Sequence, residues 1–407
     1  MSDTVACVTT TPAPGPRLAP LYLAGFTTAF GAHGVASVLG SEAEDIGLGL
    51  LGLGLVLALY DLAEVVLKPI FGALSDRIGA KPVIIGGLAA FVVASLLALV
   101  QPTPLLLALA RLGQGAAASA FSPASSAAVA RLAGKQRLGR YFGRYGAWKS
   151  LGYVLGPLIG VGLAHWFGIQ AVYVALAVLA AGAALWVAAS MPHLPVVPRT
   201  RSTLADLVKQ TTERGFLIPT LLLATTTGTL GVAVGFLPML ATRLGLTPLV
   251  GAAAVALLAL VSTAIQPGIG KLRDARRIST GAGSAWGLGA AAGALLLLAV
   301  APNAVTIMIS AVAFGVMAGV VTPLASAHLA ESTPEERMGR TMGSAELGRE
   351  IGDAGGPLLV GAIATAWTLP AALAVLAGLN ALAALTGLSA LRRPGADRDP
   401  AGRDPAA

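Results

Sequence analysis

Apolar stretches of about twenty residues recur along the whole chain, separated by short polar turns. Twenty helical residues rise roughly 30 Å, the thickness of a bilayer's hydrocarbon core. In lipid no water can satisfy the backbone, so each stretch has to pair its own N–H and C=O groups as a helix. Twelve such spans can be laid over the 407 residues. They are 18–39, 46–74, 82–100, 104–129, 145–164 and 169–190 in the first half, and 216–240, 248–270, 281–300, 305–330, 342–366 and 370–391 in the second. The expected fold is therefore all-α and integral to the membrane.

Charge placement orients the spans. Only 11% of residues are charged, yet the net charge is +8. With both termini cytoplasmic, 22 of the 27 Lys and Arg fall in the tails and even-numbered loops, four lie within spans, and the outer loops keep only Arg243. That bias is the positive-inside signature. Aromatics are 5% and the bases are dispersed over loops, which excludes a nucleic-acid-binding face. The single Cys7 excludes a disulfide framework and a thiol metal site. No metal-ligand spacing, nucleophile with a placed base, or phosphate-binding glycine loop occurs, so no catalytic role, metal or cofactor is expected.

The chain divides into a Thr- and Pro-rich tail (1–17) read as a disordered cytoplasmic leader, a six-span bundle (18–190), a linker (191–215), a second bundle (216–391) and a cytoplasmic tail (392–407). The linker carries a short amphipathic stretch, 204–208, suited to the membrane surface. The halves repeat. At an offset of 200, Arg140, Gly143, Lys149, Gly152, Gly156 and Pro157 are answered by Arg340, Gly343, Arg349, Gly352, Gly356 and Pro357. At an offset of 198, Pro69, Gly72, Leu74 and Asp76 are answered by Pro267, Gly270, Leu272 and Asp274. Parallel repeats of this kind imply two bundles related by an axis along the membrane normal.

Between the second and third spans runs Gly72-Ala-Leu-Ser-Asp76-Arg77-Ile-Gly79-Ala-Lys81. Glycines near both ends suit a tight loop, and the Asp76 carboxylate can cap a nearby helix start. The pattern G-x-L-x-D-R-x-G-x-K resembles the corresponding loop of major facilitator superfamily transporters. Two further motifs resemble that superfamily's drug:proton antiporter branch. One is Arg111-x-x-Gln114-Gly115 in the fourth span. The other is Gly152-Tyr-Val-Leu-Gly156-Pro157-Leu-Ile-Gly160 in the fifth, where Val161 stands in place of a frequent closing glycine. Glycines at that spacing also make a close helix-packing face.

The resemblance implies two bundles that rock about a central site. It implies a conformational latch built from Gly72, Asp76, Arg77, Gly79 and Lys81 against the start of the eleventh span near Met342. Asp274, which lacks the closing Gly-x-Lys, is a degenerate second copy. It also implies that the second and eleventh spans face each other, and both carry charge. Asp61, Glu64 and Lys68 share one face, as do Glu346, Arg349, Glu350 and Asp353, within roughly a 100° arc. Such charges are costly in lipid and should pair or gate. With Arg111 and Lys149 there are five acids and four bases within spans, so one-to-one pairing leaves one acid over. Asp61, nearest mid-span, is the expected proton site. A static salt-bridge network is the alternative.

The fold places the first, fourth, seventh and tenth spans around the substrate. Phe26, Phe30, His33, Gln114, Ser119 and Phe121 from the first half, and Thr225, Thr226, Thr229, Phe236 and Phe314 from the second, are the expected cavity lining. This apolar, weakly polar set suits a small lipophilic or amphiphilic solute. The expectation is a monomeric exporter of the inner membrane, with the proton gradient as its energy source. A metabolite symporter or uniporter of the same fold, and a non-pumping sensor or lipid-handling protein, remain open.

Overall fold

The computed structural model describes residues 18–42, 50–99, 103–196 and 212–391. The tail at 1–17, the amphipathic stretch at 204–208 and the tail at 392–407 lie outside the described residues. The first half contains α1 (Ala19–Glu42), α2 (Leu50–Ile78), α3 (Ala80–Leu97), α4 (Pro104–Ala133), α5 (Leu138–Phe167) and α6 (Ile169–Ser190). The second contains α7 (Arg214–Arg243), α8 (Pro248–Asp274), α9 (Thr280–Val300), α10 (Ala304–Ser332), α11 (Met338–Ala366) and α12 (Leu369–Ala390). Each expected span corresponds to one of these helices over the described residues.

Some boundaries differ from expectation. The segment expected as a polar loop, 72–81, is almost entirely helical: α2 runs through Asp76 and Arg77 to Ile78, and α3 begins at Ala80. Gly79 alone makes the turn, at φ 96°, a backbone angle that side-chain-bearing residues avoid. Helices α5 and α11 begin at Leu138 and Met338, before their apolar runs, because their first turns pack against other helices rather than lipid. Asn303 closes a capping box on α10, and Thr103, Ser279 and Thr368 cap α4, α9 and α12.

Among the described residues nine helices are long and apolar enough to cross a membrane on composition alone. The exceptions are α1, diluted by Thr27, Thr28, His33 and Ser37, and the two charged helices α2 and α11. Most of the polar residues of these three face protein, with Asp61 of α2 an exposed exception.

Packing follows the repeat. Helix α1 lies on α5, α2 on α4, and α3 against α4 and α6. In the second half α7 lies on α11, α8 on α10, and α9 against α10 and α12. Small residues bring the first pair of each set close. A Cβ on Gly156 would stand 2.8 Å from the Phe30 carbonyl oxygen, and one on Gly228 would stand 2.9 Å from that of Gly352. Each half encloses an apolar core. The halves meet along two seams, α2 with α11 and α5 with α8, which exchange under the same pseudo-twofold relation.

Candidate functional site

Each seam is closed at its basic end by one aspartate. Asp76, at the end of α2, accepts hydrogen bonds from the backbone N–H of Gly339 at 2.7 Å and Arg340 at 2.9 Å. Asp274, at the end of α8, accepts from Gly139 at 2.8 Å and Arg140 at 2.7 Å. These donors are first-turn amides of α11 and α5, which have no acceptor within their own helix. The residues before those helices are Arg337 and Arg137, and neither caps its helix with its side chain. Arginine offers donors only, so the cap has to come from across the seam. A carboxylate there also meets the positive end of the helix dipole, worth roughly 0.3–2 kcal/mol.

The Asp274 copy is thus fully formed, despite lacking the sequence's closing Gly-x-Lys. Lys81 explains the difference, because its ammonium serves another purpose: it donates to the Met191 carbonyl at 2.7 Å, fixing the exit of α6. Arg77 is exposed. Gly72 packs so closely that a Cβ on it would collide with the Gly339 carbonyl oxygen.

Deeper in the α2/α11 seam lies a buried ionic cluster. The Lys68 ammonium is 3.0 Å from Glu64, 3.7 Å from Glu346 and 2.5 Å from Glu350, and the lysine is only 1% exposed. Glu346 also accepts from Ser122 at 2.6 Å and Ser126 at 2.9 Å. One-to-one pairing therefore fails: Lys68 gathers three carboxylates because α2 and α11 place them around a single ammonium. Two acids, Asp61 and Asp353, have neither hydrogen bond nor salt bridge among the described residues. Asp61 is exposed and stands outside the cavity lining, whereas Asp353 lines it. Arg111 is buried inside the first half, its guanidinium 4.3 Å from the Tyr60 ring centroid and 3.3 Å from Gln114.

Between the halves is a cavity of about 410 Å³. It is lined from α1 by His33 and Ser37 and from α5 by Tyr145, Lys149, Tyr153 and Pro157. Thr227 and Leu230 of α7, Val255 and Leu258 of α8, Thr322 of α10, and Glu346, Arg349 and Asp353 of α11 complete most of the wall. His33 is the one expected lining residue found there. The others sit on different helix faces. Gln114 donates to Ser95 at 3.0 Å, Ser119 to the Gly115 carbonyl at 2.7 Å, and Phe121 stacks edge-on against Phe91. Phe26 stacks on Phe30, whose side chain is buried. Thr226 bonds back to Leu222, Thr229 meets Asn380 of α12, and Thr225 faces a lateral groove between α7, α11 and α12. Phe236 and Phe314 pack within the second half.

The difference has two causes. Successive helical residues turn by about 100°, so choosing Thr226 over Thr227 selects a different face of the helix. The cavity also draws much of its lining from α5, α8 and α11, the seam helices. The glycine motif of α5 supports this: Gly152, Gly156 and Gly160 press on α1 while Pro157 faces the cavity.

Two six-helix bundles, related by a pseudo-twofold axis around a central cavity, define a multi-pass membrane fold of the transporter class. The family model of the Major Facilitator Superfamily matches residues 21–289 and 276–406, and the chain belongs to that superfamily. Among curated relatives, it is similar to an uncharacterized MFS-type transporter of Methanocaldococcus jannaschii, 31% identical over 150 residues, or 37% of this chain and 39% of that one. It is 40% identical over 101 residues to a multidrug resistance protein B homolog of Mycobacterium tuberculosis, covering 25% of this chain and 19% of the relative. It is 31% identical over 140 residues to the quinolone resistance protein NorA of Staphylococcus aureus, covering 34% and 36%. These matches span well under half the length of the curated relatives. Among solved structures, the human organic anion transporter MFSD10 (TETRAN) superposes with a TM-score of 0.76 at 18% identity, covering 92% of this chain and 100% of that one. A variant of the Escherichia coli fucose:proton symporter FucP gives 0.74 at 15%, covering 92% and 98%. At such identities the likeness is one of fold.

Proposed function

We propose that the chain exports small lipophilic or amphiphilic compounds across the inner membrane in exchange for protons, with both termini cytoplasmic. The observation that carries this reading is the cavity itself. It is largely apolar, yet it holds Asp353, an acid without a salt bridge, one helical turn from the Lys68–Glu350 contact. A carboxylate so placed can hold a proton when the space is empty and release it when an apolar solute enters, so that the two compete for one site as exchange requires. The relatives named for drug resistance favour export, and the positive-inside bias favours the orientation. In that orientation both seam-closing aspartates lie on the cytoplasmic side, so that side is closed in this conformation.

Lys149 and Arg349 in the lining favour one second reading, a carboxylate-bearing metabolite as solute. The test uses purified protein in vesicles under an imposed pH gradient, challenged in turn with lipophilic cations, neutral drugs and small carboxylates. Export is supported if lipophilic solutes dissipate the gradient and Asp353→Asn reduces the effect more than Asp61→Asn. A response to carboxylates alone would replace it with the metabolite reading.

A further inference from the structure

The internal repeat maps the ionic cluster of one seam onto a neutral cluster in the other. At the offset of 198, Lys68 corresponds to Gln266 and Glu64 to Ser262. At the offset of 200, Glu346 corresponds to Gly146 and Glu350 to Ser150. The structure brings these counterparts together in the same arrangement. The Gln266 amide nitrogen lies 2.8 Å from the Ser150 hydroxyl across the α5/α8 seam and 3.0 Å from the Ser262 hydroxyl one turn earlier. Lys68 reaches Glu350 across the α2/α11 seam and Glu64 one turn earlier in the same way. At the fourth position Gly146 leaves room for the Gln266 amide itself, which a Cβ would strike.

At both seam ends one aspartate accepts from two first-turn amides, although Asp274 also lies 3.7 Å from Arg273, and the deeper clusters differ in charge altogether. One hydroxyl and amide set closes a seam without any charge. Burying an ammonium with three carboxylates is therefore not needed for closure, and desolvating such groups costs several kcal/mol per ion. The ionic set has to be retained for something that the neutral set cannot do.

We infer that the two seams divide the labour of transport: the α2/α11 seam opens and closes in response to protons through Lys68, Glu64, Glu346 and Glu350, and the α5/α8 seam is a proton-blind hinge held by Gln266, Ser150 and Ser262. The assignment of hinge roles to Gln266, Ser150 and Ser262 rests on the proton-coupled reading above. Charged and titratable groups face the Lys68 cluster from several helices. Helix α2 adds Tyr60 and Asp61, and α4 adds Arg111 near Glu64. Helix α5 contributes Tyr145, Lys149 and Tyr153, α1 contributes His33, and α11 adds Arg349 and Asp353. Gln266, by contrast, hydrogen-bonds only to hydroxyls among the described residues.

The test reads the conformational equilibrium without any solute. Spin labels at Ile78 and Glu335, exposed positions flanking the latch, report opening of the basic side in the Cys7→Ser protein between pH 5 and 8. In the otherwise unchanged protein the open-to-closed ratio is expected to vary with pH, by up to about tenfold per unit for each proton linked to opening. Gln266→Leu should shift that ratio by the same factor at every pH. Lys68→Gln combined with Glu64→Ser and Glu350→Ser, which copies three of the four positions of the neutral seam, should abolish most of the pH slope. A Gln266→Leu slope as altered as that of the triple variant overturns the division of labour while leaving proton coupling intact. So does an unaltered slope in a folded triple variant. A flat response in the unsubstituted protein overturns proton coupling itself, and the inference with it.

Discussion

Lys68 and Glu350 come from helices 282 positions apart and meet at 2.5 Å inside the seam between the halves. Helix α2 is held against α11 both by this contact and by the Asp76 cap below it. A charge-assisted bond in a buried site is strong, but its removal is worse than its absence by design, since the partner is left charged and dry.

Lys68→Ala leaves three carboxylates without their shared cation. It is expected to destabilise the folded protein by about 3–5 kcal/mol, the range for breaking a buried pair from one side. Lys68→Gln with Glu350→Gln should recover more than half of that loss. Thermal unfolding in detergent checks both; equal unfolding temperatures for the single and double variants would show that the contact carries no such weight.

Asp76→Asn keeps the shape of the latch but loses the charge and one of two acceptor oxygens. Helix insertion should be normal and transport in vesicles should fall at least about tenfold, the effect of roughly 1.4 kcal/mol. Asp274→Asn should behave alike, because Asp274 also accepts from two first-turn amides, at 2.8 and 2.7 Å. Activity retained by the Asp274 variant would restrict the latch to one seam.

Gly72→Ala inserts a methyl group where the Gly339 carbonyl already sits. Overpacking of this sort costs about 1–3 kcal/mol, and here it acts only on the state with this seam closed. The variant should favour the conformation open on the basic side, seen as faster thiol labelling at an introduced cysteine in the cavity, for example Thr322→Cys. Gly54→Ala, with nothing within 4 Å of its Cβ, is the matched control and should change nothing.

Thr227 and Thr226 are neighbours with opposite surroundings. Thr227 lines the cavity, and its hydroxyl bonds to the Arg349 carbonyl at 2.7 Å; Thr226 is buried against its own helix. Thr227→Val should change the rank order of solutes that compete for transport, while Thr226→Val should leave that order untouched. Competition assays in vesicles decide between them.

Much of this was legible in the primary structure. The number and type of helices follow from apolar length, since a bilayer admits few other solutions. The pseudo-symmetry follows from two repeat offsets, and the motif singled out Asp76, which caps the start of α11. Asp274 was visible too, though its missing neighbours made it look incomplete. The lining of the cavity was not legible. Apolar periodicity is weak in a helix that is apolar all round, so the sequence cannot say which face meets lipid, core or cavity. His33 alone of the expected lining residues reached the cavity.

By itself, then, the sequence determined the membrane-spanning helices, their repeat and the residues that carry charge, because each depends on local chemistry or on distance along the chain. Tertiary structure alone decided that Lys68 serves three carboxylates, that Asp353 rather than Asp61 faces the cavity, and that Gln266 answers Lys68 in space. Those relations arise only when helices hundreds of residues apart are brought within hydrogen-bonding distance. Rotation of a helix by one residue would rewrite them without altering its hydropathy.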